Sequence, residues 1–130
     1  MTVYTLSNPH LRMRVSAQGA CLLGLDDDQG RPLLRDTDPA QPWHPGQSAL
    51  FPMLPLVNRV AGNRFELWGE ACSLPASELD PDFFLHGDGW LQPWQRVALT
   101  DSSVTLQLTS QHGPFHYLAE IDYRLQGASL

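Results

Sequence analysis

The stretch "VTLQLTSQHGPFHYLAEIDYRL", residues 104–125, alternates twice. In its first half Val104, Leu106 and Leu108 fall on one side, and Thr105, Gln107 and Thr109 on the other. In its second half Tyr117, Ala119, Ile121, Tyr123 and Leu125 oppose Leu118, Glu120, Asp122 and Arg124. Successive side chains of an extended chain point to opposite faces, so a period of two marks a strand with one face in a core. Between the two runs, "QHGP" (111–114) supplies turn chemistry.

The same reading extends outward. In "LRMRVS" (11–16), Leu11, Met13 and Val15 share a face against Arg12 and Arg14, while "RFELW" (64–68) and "WQRVAL" (94–99) are shorter strand candidates. Turns are expected at "SNP" (7–9), "DDDQGRP" (26–32) and "TDSS" (100–103). No segment holds a helical period over ten or more residues. "ALFPMLPLVNRVAG" (49–62) is apolar, but Pro52 and Pro55 would break a helix there. Eleven prolines and ten glycines among many short segments predict an all-β sandwich or barrel. Residues 36–62, with five prolines, form a connection of a length that is uncommon in a compact domain unless it is functional. The expectation is a structured loop crossing one end or face of the sandwich.

The chain's 130 residues suit one domain. Apolar residues make up 42% and charged residues 17%, a globular balance. The net charge of −6, with no basic stripe, argues against nucleic acid and anionic membrane surfaces as partners. The opening "MTVYTLSNPHLRMRV" lacks a basic segment followed by an apolar one, so it does not read as a signal peptide. Cys21 and Cys72 stand in no paired motif; the expected compartment is a reducing cytoplasm, with both thiols free.

Several chemistries are disfavoured. His112 and His116 have the i,i+4 spacing of a helical zinc motif, but Gly113, Pro114 and Phe115 between them do not make a helix. On one extended strand they would lie about 13 Å apart, far beyond the reach of a single ion. They read as strand-end surface residues, and neither a metal nor another cofactor is expected. The chain contains no lysine, which excludes a phosphate-binding P-loop, and it has no nucleophile elbow.

Sugar chemistry fits better. Carbohydrate sites join aromatic platforms to a few directed polar groups. "LHGDGWLQPW" (85–94) and "NRVAGNRF" (58–65) supply that mixture. Asn58 and Arg59 could fork onto adjacent hydroxyls; their plain structural reading is a loop cap and a salt bridge. His86 follows an apolar run and precedes two glycines flanking Asp88. A histidine titrates near neutrality, which suits proton exchange; its plain reading is a half-buried histidine at a glycine turn.

These residues carry a resemblance. "FPMLPLVNRVAGNRFELWGEACSLP" (51–75) followed by "FLHGDGWLQPW" (84–94) is similar in order to the aldose 1-epimerase, or galactose mutarotase, family, and "GACLLGLDDDQGRPLL" (19–34) resembles its early pair of strands. The resemblance runs through nearly all 130 residues. It implies an antiparallel β-sandwich of the galactose mutarotase-like type, truncated, with residues 1–130 as its N-terminal portion. It further implies metal-free acid/base interconversion of the α and β anomers of a free aldose, in which the ring opens and recloses. Asn58, Arg59 and His86 then bind substrate, and His86 is catalytic, as the first of two active-site histidines. The family's second histidine, binding aspartate and general-base glutamate come after a strand resembling "YLAEIDYRL". Glu66, Glu70, Glu78 and Glu120 do not match the base in order, so the chain is expected to lack it. The alternatives are a non-catalytic carbohydrate-binding module or an inactive fragment. Self-association through open edges at "VTLQLT" and "YLAEIDYRL" is also expected.

Overall fold

The computed structural model describes residues 2–130. Eight strands form three antiparallel sheets. The first sheet is β1 (Val3–Ser7), β2 (Leu11–Ser16) and β3 (Leu22–Asp27). The second is the hairpin β4 (Arg64–Leu67) and β5 (Glu70–Ser73). The third is β6 (Gln95–Leu99), β7 (Ser103–His112) and β8 (Phe115–Arg124). Each sheet follows chain order. The described residues contain no α-helix, only short 3₁₀ turns at Pro45–Gln47, Ala61–Asn63 and Gly89–Leu91. This is an all-β, antiparallel architecture, as the sequence predicts.

Alternation builds the core. Leu6, Leu11, Met13, Val15, Leu22 and Leu25 from the first sheet pack in one cluster with Val104, Leu106, Leu108 and Tyr123 from the third. Burying each such apolar side chain contributes about 1.5–3 kcal/mol. The outward residues of β8 (His116, Leu118, Glu120, Asp122 and Arg124) are exposed, as their phase demands. The Tyr123 hydroxyl donates to the Ala20 carbonyl at 2.8 Å, tying the third sheet to the turn between β2 and β3. Burial raises the Tyr123 phenol well above its ordinary value, so it stays a donor. Cys21 and Cys72 are free; burial pushes the Cys21 thiol up to about 12, which makes it an inert core residue.

Two expectations need correction. "VTLQLT" is no open edge: β7 is the central strand of its sheet, paired with β6 on one side and β8 on the other. The open edge near it belongs to β8. Sequence marks a strand but not which neighbours it acquires. His112 and His116 lie on separate strands, as the turn expected between them requires. They flank the β7–β8 turn, where His112 opposes Phe115 and His116 opposes Gln111, so they lie on opposite faces of the hairpin. Second, His112 is no surface residue: it is half-buried and stacks on the buried Phe84, with ring centroids 5.3 Å apart. His116 is exposed, as expected.

The long connection is structured. Thr37 N–H donates to Leu23 C=O, and Ala49 N–H to Leu22 C=O, so the segment lies along β3. Further on, Leu54 forms an isolated parallel bridge to Gly87. The loop therefore links the edge of the first sheet to the turn that carries His86.

Candidate active site

The apolar run before His86 is not a strand. Residues 83–88 form an irregular turn, stitched to the long loop. Gly89 N–H donates to Leu54 C=O at 3.0 Å. Gly87 has φ +70°, and a Cβ there would lie 2.0 Å from that same carbonyl oxygen. The glycine is required because backbone meets backbone.

His86 and Asn58 hold each other. His86 N–H donates to Asn58 C=O at 3.0 Å, and Asn58 N–H donates to His86 Nδ1 at 2.9 Å. Both residues adopt left-handed backbone, at φ 58° and 69°. The region costs an ordinary side chain about 1–2 kcal/mol, and Asn less because its short polar side chain bonds locally; it persists where the surroundings over-determine it. The chemical consequence is a fixed tautomer. A backbone N–H can only donate, so Nδ1 must accept, and the ring hydrogen sits on Nε2. Burial, and after it the positive charge of Arg59, hold His86 below the ordinary histidine value of 6.5. The imidazole is thus a neutral Nε2–H donor at physiological pH.

Arg59 is placed by an acid that sequence reasoning did not single out. Its Nε donates to Asp80 Oδ2 at 3.0 Å, and Nη1 reaches Asn58 Oδ1 at 3.5 Å. The guanidinium lies over the Phe83 ring, 5.8 Å from its centroid. Asp80 Oδ1 accepts the backbone N–H groups of Asp82 and Phe83. Those backbone bonds first, and Arg59 with them, hold the Asp80 carboxyl below the usual carboxylate range. The salt bridge commits Nε and Asn58 Oδ1 takes one hydrogen of Nη1, while Nη2 and the other Nη1 hydrogen of the half-exposed guanidinium have no partner among the described residues.

The aromatic residues are arranged differently from the expectation. Trp90 and Trp94 are buried, 3% and 4% exposed, so neither offers a platform. Their indoles pin the turn instead: Trp90 Nε1–H donates to the Leu85 and Gly87 carbonyls, and Trp94 Nε1–H to the Gly89 carbonyl at 2.8 Å. Phe51, from the proline-broken run, stacks on Trp90 with centroids 4.9 Å apart, and His86 meets Trp90 edge-on at 5.5 Å. The structure thus brings Asn58, Arg59 and His86 together and adds Phe51 and Asp80 around them. Phe51 had no periodic context in the sequence, and Asp80 sits in an irregular acidic stretch, so neither gave a signal. Among the described residues, no three His, Cys, Asp or Glu side chains converge as a metal site, and no helix is long and apolar enough to cross a membrane.

The sequence matches the family model described as aldose 1-epimerase over residues 2–130. It is 38% identical over 138 aligned positions to the uncharacterized protein YphB of Escherichia coli (strain K12), an alignment covering 100% of this chain and 44% of that protein. The fold is similar to the crystal structure of a candidate aldose 1-epimerase from Escherichia coli K12, with TM-score 0.80, 37% identity, and coverage of 95% of this chain and 42% of that one. It is also similar to a galactose mutarotase-like protein from Lactobacillus casei, with TM-score 0.76, 17% identity, and coverage of 97% and 40%. The chain therefore spans under half the length of these relatives.

Proposed function

The chain belongs to the aldose 1-epimerase family, and on that premise we propose that its 130 residues grip a free aldohexose for interconversion of its α and β anomers. The observation that carries this reading is the reciprocal pair of hydrogen bonds between Asn58 and His86, which fixes the imidazole as a neutral Nε2–H donor beside Arg59. Ring opening places growing negative charge on the ring oxygen. A donor fixed in advance toward that atom stabilises the charge as it develops, without reorganisation. His86 supplies that donor, and the Arg59 fork takes two neighbouring hydroxyls. Asn58 contributes through its backbone geometry and through Oδ1, which faces Arg59. We assign the chain to a reducing cytoplasm on its two free thiols.

Removing the anomeric hydroxyl proton requires a base. Asp80 lies beside Arg59 but is a poor one: both its oxygens accept hydrogen bonds, and its carboxyl is held below the usual range. Our reading is that these residues bind the sugar and do not supply the base. The second reading, a carbohydrate-binding module without catalysis, has the same observation in its favour. Both are tested by titrating the 130-residue chain with galactose and with glucose, and by following fresh α-anomer in a polarimeter. Heat of binding that disappears in His86→Ala, with rotation matching the buffer blank, is the expected result. Absence of heat with either sugar would sink the binding site. A rate above the blank would show that a base lies within these residues.

A further inference from the structure

Asp88 lies two residues after His86 and is almost wholly withdrawn from water, 2% exposed. No ion pair among the described residues includes it. A buried carboxyl without a cation must find its compensation in hydrogen bonds. Asp88 finds two. Ser110 Oγ–H donates to Oδ2, and Tyr117 O–H donates to Oδ1 at 2.8 Å. Ser110 and Tyr117 are direct cross-strand partners on β7 and β8, so the carboxylate spans one rung of the hairpin. Burial, and then the bond to Asp88, raise the Tyr117 phenol well above its ordinary value, which keeps it a donor.

The turn that carries His86 is therefore held from two sides. Leu54 grips Gly89 on the loop side, and Asp88 grips the rung Ser110–Tyr117 on the sheet side. The indole of Trp90 bonds only to carbonyls of residues 85 and 87, within the turn itself, so it stiffens the turn without placing it. His86 stands in the left-handed region, which only such over-determination maintains. We infer that Asp88 is a positioning residue: by anchoring the turn to the rung Ser110–Tyr117 it holds His86 in the backbone conformation in which Nδ1 meets Asn58 N–H, and so sets which ring nitrogen carries the hydrogen. The value of this to catalysis rests on the reading of His86 as the sugar-facing group; the placement of the hydrogen does not.

The test reads the imidazole, not the sugar. In the ¹⁵N-labelled 130-residue chain, long-range proton–nitrogen NMR reports the tautomer of His86 and its titration. The wild type should show a single Nε2–H form with an accepting Nδ1. Asp88→Leu, near in size and without acceptors, should lose that signature, giving two tautomers in exchange and a titration moved up toward 6.5. Asp88→Asn should largely restore it, because an amide can accept from one hydroxyl and donate to the other. The double variant Ser110→Ala, Tyr117→Phe removes only the two hydroxyls and should reproduce the loss seen in Asp88→Leu. If Asp88→Leu fails to fold, the double variant decides. A folded variant of either kind with the wild-type tautomer and titration overturns the inference. So does unfolding of both, since Asp88 would then be a folding residue. Loss of sugar binding in the wild type, with the tautomers behaving as described, would remove the sugar reading and leave this one standing.

Discussion

Gly87 and His86 stand next to each other in the left-handed region, at φ 70° and 58°, and they respond differently to change. At Gly87 a methyl group meets the Leu54 carbonyl oxygen at 2.0 Å, whereas at Gly69, with φ +82°, it meets nothing within 4 Å. Gly69→Ala should cost only the backbone penalty of about 1–2 kcal/mol. Gly87→Ala adds a clash with backbone that cannot move aside, and should cost at least about 3 kcal/mol or prevent folding. Urea titration of both variants checks the ranking; equal midpoints would mean that the Leu54–Gly87 contact is not made. His86 gives a pH signature. Its folded value lies below 6.5, held there by burial and then by Arg59, so the unfolded chain takes up the proton first. Stability is then undiminished above 6.5 and falls as pH drops from there toward the folded value. Between about pH 7.5 and about pH 5 the wild type should lose more stability than His86→Asn, which carries no titrating ring. Parallel losses would show that His86 titrates as an ordinary exposed histidine. Arg59 and Asn58 were legible as polar groups of a loop. That Asp80 orients the Arg59 guanidinium was not, because the pair lies 21 residues apart and meets only through the fold.

At the scale of elements, β7 and β8 show how far a period of two carries. It predicts both faces correctly: Val104, Leu106 and Leu108 are buried and Leu118 is 64% exposed. Leu106→Ala should therefore cost about 2–5 kcal/mol through the cavity it leaves. Leu118→Ala should stay within about 0.5 kcal/mol. Thermal melts of the two variants separate these outcomes, and comparable shifts would mean that the phase of the strand pairing is wrong. The period says nothing of strand order, which is why β7 reads as an open edge in sequence and stands in the middle of its sheet in space. The edge of that sheet at β8 presents backbone donors and acceptors together with Leu118, against which Glu120 and Asp122 on the same outward face are a partial guard. We expect light scattering to report a dimer or larger for the 130-residue chain, and Leu118→Lys to shift it toward monomer. A wild-type monomer would show that the charges on β8 suffice to block pairing.

For the whole molecule, the decisive contact is the one between the third sheet and the β2–β3 turn. Tyr123 O–H reaches the Ala20 carbonyl, 103 residues away in sequence, at 2.8 Å within the core. Tyr123→Phe keeps the packing and leaves that carbonyl without its partner. It should cost about 1 kcal/mol, or about 4 °C in Tm for a domain of this size. An unchanged melt would mean that the third sheet and that turn are held by apolar contact alone. The all-β class, the main strands and their buried faces were determined by sequence alone, because alternation, turn residues and the absence of a helical period act locally and each residue reports its own face. The family order of Asn58, Arg59 and His86 was legible in the same way, as a string. Tertiary structure alone decided that Trp90 and Trp94 are pins and not platforms, that Asp80 holds Arg59, that Asp88 bridges Ser110 and Tyr117, and that Asn58 and His86 lock one another's geometry. The last three are contacts between segments distant in sequence, and the burial that makes pins of the two indoles is likewise set by what packs over them. Such a contact depends on where the backbone has been carried, and a local pattern contains no information on that.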